Sequence, residues 1–120
     1  MKNFIIWLMF ICFFFAQQGM AQATFVDGMR LKEWSEASER LEAGNARNTD
    51  AFVTGLYIGY VEGVADIMDG TIICLPGGTT IGKVTAIVTK FLKDNPEKWK
   101  LPANYVIGYA LTPVFPCNKK

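Results

Sequence analysis

Four stretches of this chain repeat apolar residues at the helical spacing of three and four, and each ends at a glycine, asparagine or proline. The first runs from about Gly28 to Ala43. Leu31, Trp34 and Leu41, with Ala37 and Ser38 between them, mark its apolar face, while Glu36 and Arg40 form an i,i+4 pair on the other side. Gly44 and Asn45 end it, and in the loop "GNARNTD" Asn48 or Thr49 can cap the next helix. The second stretch is "FVTGLYIGYVEGVADIMDG", in which Phe52, Leu56, Tyr60, Val64 and Ile67 supply apolar contacts flanking a stripe of glycines and Gly70 supplies the stop. "TIICLPGG" then reads as an extended connector leading into a turn, because Pro76, Gly77 and Gly78 forbid a long strand. The third helix opens at Thr79 or Thr80, buries Ile81, Val84, Ile87, Val88, Phe91 and Leu92, leaves Lys83, Lys90 and Lys93 outside, and stops at Asn95 and Pro96. Its period outweighs the strand preference of its β-branched residues. "PEKWKLP" is a connector or a single helical turn carrying Trp99. Pro102 then suits the first position of a fourth helix that presents Tyr105, Val106, Tyr109 and Ala110 and ends before Pro113. The plan is all-α: a small four-helix domain without internal repeats.

Gly55, Gly59 and Gly63 do not fit the simplest version of that plan. Each costs a helix roughly 0.8–1.0 kcal/mol relative to alanine, and at i, i+4 and i+8 they lie on one stripe. Such a stripe lets another backbone approach closely. It therefore predicts a tight helix crossing, either inside the small core or at a dimer seam. A transmembrane dimer is disfavoured because Glu62, Asp66 and Asp69 interrupt the segment.

The N-terminus "MKNFIIWLMFICFFFAQQGMAQA" has a different pattern. A basic Lys2, an unbroken apolar run from Phe4 to Ala16 and then small residues make a secretory signal peptide, with cleavage after Ala21 or, as the alternative, after Ala23. The run is short of the roughly 20 residues a membrane span needs. The expected organisation is a signal peptide at 1–21 and one domain at 22–120 that has no membrane role after cleavage. Cys12 lies in the discarded part, so two cysteines remain, Cys74 and Cys117, in a chain bound for an oxidising compartment. An even count there favours a disulfide over two free thiols.

Charge is near balance, with 12 basic and 11 acidic residues in the whole chain, but the signs are segregated. Most acids lie before Cys74 and most bases after it. No basic excess points to nucleic acid, and the simpler consequence is that the halves pack against each other or self-associate. Histidine is absent from the sequence, which removes the usual general base and the usual triads and zinc sites. Glu62, Asp66 and Asp69 share one helical face. They form either an acid/base or calcium site or, more simply, a solvated face in which Asp66 takes a structural hydrogen bond or a basic partner. "CLPGGTT" lacks the lysine and spacing of a phosphate loop and is a turn. An enzyme is not expected, nor a cofactor or metal.

Taken together, the signal peptide, "YIGYVEGVAD" and "CLPGGTTIGKVTAIVTKFLKDNPEKWKLPANYVIGYALTPVFPC" resemble the Rap/Tai family of periplasmic immunity proteins, which protect bacteria against peptidoglycan amidase effectors of the type VI secretion system. The resemblance covers roughly Phe52 to Cys117 and rests on Tyr60, Gly63, Val64 and Asp66, Cys74 and Pro76, the helix opening at Thr80, Pro96, Pro102 with Ala103, and Phe115-Pro116-Cys117. It implies an all-helical homodimer in the periplasm with a Cys74–Cys117 disulfide. It also implies a protruding loop that enters the cleft of a cognate amidase. Leu75, Pro76, Gly77, Gly78 and Thr79 are the expected loop, stiffened at Cys74. Trp99 is a second contact candidate or, equally, a packed tryptophan. Members often carry a further cysteine pair joining the first two helices; here Trp34 and Tyr57 occupy that region. The alternative reading is a periplasmic structural or chaperone-like binding module with no toxin target.

Overall fold

The computed structural model describes Met1 and residues 23–118; the signal-peptide expectation falls on residues outside them. Among the described residues there are four α-helices, α1 (Gly28–Glu42), α2 (Asp50–Met68), α3 (Ile81–Asp94) and α4 (Ala103–Leu111), with one 3-10 turn at Pro96–Lys98 and no strand. The all-α expectation is met.

Helix starts are set by local chemistry. Asp27 caps α1 by accepting the Arg30 N–H at 2.9 Å, and Thr80 caps α3 by accepting the Lys83 N–H. Thr49 precedes α2 without a side-chain capping bond. The start of α1 is also tied to the segment before α4: Gly28 N–H donates to the Leu101 carbonyl at 2.8 Å and Met29 N–H to the Trp99 carbonyl at 2.8 Å. These bonds satisfy two of the donors that every helix N-terminus leaves free. A Cβ on Gly28 would stand 2.7 Å from the Trp99 Cα, so only glycine allows this approach.

The core lies where the four helices meet. Leu31 of α1, Tyr57, Val61 and Ala65 of α2, Val84, Val88 and Leu92 of α3, and Val106, Ile107, Ala110 and Leu111 of α4 are buried together, with Ile73 and Phe115 closing the end that carries the disulfide. The Tyr57 hydroxyl reaches α3, where it meets the Thr85 carbonyl at 3.1 Å and the Thr89 hydroxyl at 2.8 Å. Burial pushes its pKa up to about 12.

Two faces differ from their sequence reading. The inner side of α2 is Thr54, Tyr57, Val61 and Ala65, whereas Phe52, Leu56 and Ile67 are exposed and Tyr60 and Val64 half-buried. The inner side of α4 includes Val106, Ile107, Ala110 and Leu111, with Tyr105 and Tyr109 outside. The glycine expectation is corrected in its first half: among the described residues, a Cβ at Gly55, Gly59 or Gly63 would meet no atom within 4 Å, so none of the four described helices crosses the stripe closely. The stripe faces away from the core. Trp34 stacks edge-on with Tyr60, ring centroids 6.1 Å apart, and not with Tyr57, which the α3 hydroxyl contact takes instead.

Candidate functional site

The connector between α2 and α3 is built from its anchors outward. After Met68 the chain turns so sharply that the Met68 carbonyl faces the N–H groups of Thr71, Ile72 and Ile73 at 3.2, 2.9 and 3.1 Å. Gly70, at φ +78°, supplies the left-handed conformation this turn needs. Ile73 is buried, and Gly70 N–H donates to its carbonyl at 2.8 Å. The chain then surfaces at Cys74, which is exposed and joined to half-buried Cys117, Cα to Cα 4.9 Å. Cys74 N–H also donates to the Phe115 carbonyl at 2.9 Å, and the next N–H, of Leu75, donates to Asp69 Oδ1 at 2.9 Å.

From there the five residues Leu75–Thr79 form a closed turn. The Thr79 N–H and hydroxyl both donate to the Pro76 carbonyl, at 3.1 and 2.7 Å. Pro76, Gly77 and Gly78 are its exposed tip, Leu75 and Thr79 its half-buried shoulders. The Thr80 cap follows at once, so α3 fixes one end of the turn while the disulfide and Asp69 fix the other. Lys83 lies 5.6 Å from the Phe115 ring centroid, which sets a cation beside the base of the turn. The tip offers small side chains and backbone polar groups on a rigid support. Those features suit insertion into a narrow cleft rather than bond making.

The other sequence candidates have different surroundings. Trp99 is half-buried, donates its indole N–H to the Leu92 carbonyl at 2.8 Å and carries Lys32 5.0 Å from its ring centroid; packing accounts for it. Glu62, Asp66 and Asp69 are exposed on α2 and its end. Asp66 has no hydrogen bond among the described residues, so the structural role expected of it is corrected: Asp69 and Asp50 hold such roles instead. No group of three His, Cys, Asp or Glu side chains among the described residues is arranged to hold a metal ion.

Asp50 is the polar feature that sequence reasoning missed. It is buried at the start of α2, receives both Arg40 Nε and Nη2 at 2.8 Å, and accepts the Arg47 N–H at 2.8 Å. The Arg40 hydrogen bond, followed by that of Arg47, lowers its pKa to about 2, and the same pairing raises that of Arg40. This clamp fixes the α1–α2 hairpin. A groove of ≈ 520 Å³ between α1 and α3 is lined by groups already paired with one another, Glu39 with Lys93, Lys90 with Asp94 and Tyr57 with Thr89.

A family model described as Rap1a immunity proteins matches residues 27–117. No curated protein matches the chain.

Proposed function

The chain belongs to the Rap1a immunity protein family, and on that premise we propose that it binds and sterically blocks a peptidoglycan amidase toxin of the type VI secretion system. It does so without turnover, in the periplasm, after removal of residues 1–21, as a single domain spanning 22–120 that works as a homodimer. The observation that carries this reading is the Leu75–Thr79 turn. It is exposed at its tip and anchored by a disulfide, by the Asp69 carboxylate and by the Thr80 cap. A loop already held in one conformation loses little entropy on binding, and this raises affinity without adding contacts.

The reading is tested by inhibition. Oxidised chain 22–120 is titrated into a Cys/His peptidoglycan amidase effector encoded beside its gene, and cleavage of peptidoglycan is followed. Stoichiometric loss of activity is expected. Gly77→Arg places bulk at the tip, where a Cβ meets nothing within 4 Å, and should abolish inhibition while leaving the helical signal unchanged. Full inhibition by Gly77→Arg would move the contact away from this turn. No inhibition by the unaltered chain would leave the structural or chaperone-like module.

A further inference from the structure

Three glycines among the described residues have positive φ: Gly44, Gly70 and Gly78. Gly44 and Gly70 lie just beyond α1 and α2, where a left-handed residue is the usual helix stop. Gly78, at φ +82°, ends no helix. It is the third residue of the Pro76–Thr79 turn, which the Thr79 N–H closes on the Pro76 carbonyl at 3.1 Å, and Gly77 before it is not left-handed. That combination is the type II pattern, whose third position needs positive φ. Positive φ mirrors the ordinary backbone region, so a D-residue prefers what an L-residue avoids there. The exposed tip therefore presents one residue of D-like backbone, which glycine adopts freely. Two further observations turn that backbone toward a partner. Among the described residues the N–H and carbonyl groups of Gly77 and Gly78 make no backbone hydrogen bond. A Cβ at either glycine would meet nothing within 4 Å, so the tip's peptide groups stand bare.

Peptidoglycan stem peptides alternate L- and D-residues, so the cleft of an amidase that cuts them has to accept backbone of both hands. We propose that the Pro76–Thr79 turn lies in that cleft as a mimic of the stem peptide, with Gly78 in the place of a D-residue and the free peptide groups of the tip taking the hydrogen bonds of the substrate backbone. The proposal rests on the amidase reading above and adds to it the feature of the substrate that the turn copies. A loop that worked by bulk would gain from large side chains, which are the usual hot spots. This tip has none at Gly77 and Gly78, and what it offers is main chain held in one conformation from both sides, by the disulfide with Asp69 and by the Thr80 cap. Its recognition is therefore through backbone shape, and hand is part of that shape.

Ligation of chain 22–73 to a synthetic 74–120 segment at Cys74, followed by oxidation, gives chain 22–120 with alanine of either hand at position 78. Both forms of Gly78→Ala add one methyl at an exposed tip and should keep the helical circular dichroism. Made with D-alanine, Gly78→Ala should inhibit the amidase within about 3-fold of the unaltered chain; made with L-alanine, which is disfavoured at positive φ by roughly 10-fold, it should inhibit at least about 10-fold more weakly. A fluorescent stem tetrapeptide held by amidase lacking its nucleophile should be displaced by the unaltered chain, and the unlabelled tetrapeptide, but not its all-L diastereomer, should compete with the chain for the amidase. Four results would overturn the mimic: equal loss of inhibition with alanine of either hand, equal inhibition by both forms, a ternary complex of chain, amidase and stem tetrapeptide, or equal competition by the all-L diastereomer. Each of these leaves the inhibitor standing as a plain obstruction. Absence of any complex between the unaltered chain and the amidase overturns the amidase reading itself and the mimic with it.

Discussion

Replacing both Cys74 and Cys117 by serine opens a loop whose ends are 43 residues apart in sequence. In the chain-entropy description, a crosslink over a loop of that length withholds from the unfolded chain freedom equivalent to about 4 kcal/mol at 25 °C. Little is lost on the folded side. Cys74 is exposed and Cys117 half-buried, and Phe115, the buried residue of the tail, keeps its N–H bond to the Leu111 carbonyl at 2.9 Å. The double substitution should therefore lower unfolding free energy by about 4 kcal/mol, mostly through the unfolded state. Both cysteines are changed so that no lone thiol forms intermolecular bridges. Urea unfolding followed by far-ultraviolet circular dichroism measures it. The comparison is made on extrapolated free energies, because releasing the crosslink expands the unfolded chain and raises the m-value. For a domain of this size, about 4–8 °C per kcal/mol translates the loss into a fall in Tm of roughly 15 °C or more. A loss under about 1 kcal/mol would refute the reasoning, since the disulfide would then not restrict the unfolded chain. At a temperature where both forms are folded, the variant should also inhibit the amidase more weakly, as its Leu75–Thr79 turn has lost one anchor.

Two further outcomes test the scaffold. Asp50→Asn strips Arg40 and the Arg47 N–H of their carboxylate, so Tm at pH 7 should fall. Because the folded pKa lies near 2, below the roughly 3.9 of an unfolded aspartate, the contribution is complete above pH ~4 and vanishes as pH drops through 2. The gap between the two Tm curves should close over that window, and a gap independent of pH would rule the clamp out. Gly28→Ala sets a Cβ within 2.9 Å of three backbone atoms of Lys98 and Trp99, which cannot rotate away, and should cost about 1–3 kcal/mol in urea unfolding despite alanine's better helix propensity. Gly82→Ala, with open space at the same atom, serves as the tolerated control.

What the sequence by itself determined was the number of helices, their stops and the covalent tie. The 3.6-residue period is a local property, and in α3 one side of the helix is apolar and the other carries lysines, so its buried face could be read directly. Gly44 and Gly70 end helices by adopting positive φ, which is a property of the residue type. Two cysteines beyond the N-terminal apolar run were enough to expect the Cys74–Cys117 bond. The turn at Leu75–Thr79 was legible for the same reason, because Pro76, Gly77 and Gly78 leave few alternatives.

Only the tertiary structure decided which side of α2 faces inward. Apart from the Glu62 and Asp66 face, apolar residues lie on most sides of that helix, so its period fixes the phase poorly, and packing against α1, α3 and α4 selected Tyr57, Val61 and Ala65 over Phe52, Leu56 and Ile67. The polar anchors were hidden for a related reason. Asp50 finds Arg40 across the α1–α2 loop, and Asp69 finds the Leu75 N–H only once the chain has doubled back at Gly70. A charge in a sequence does not name its partner; the partner is chosen when folding brings the two together and removes the water that would otherwise have solvated each.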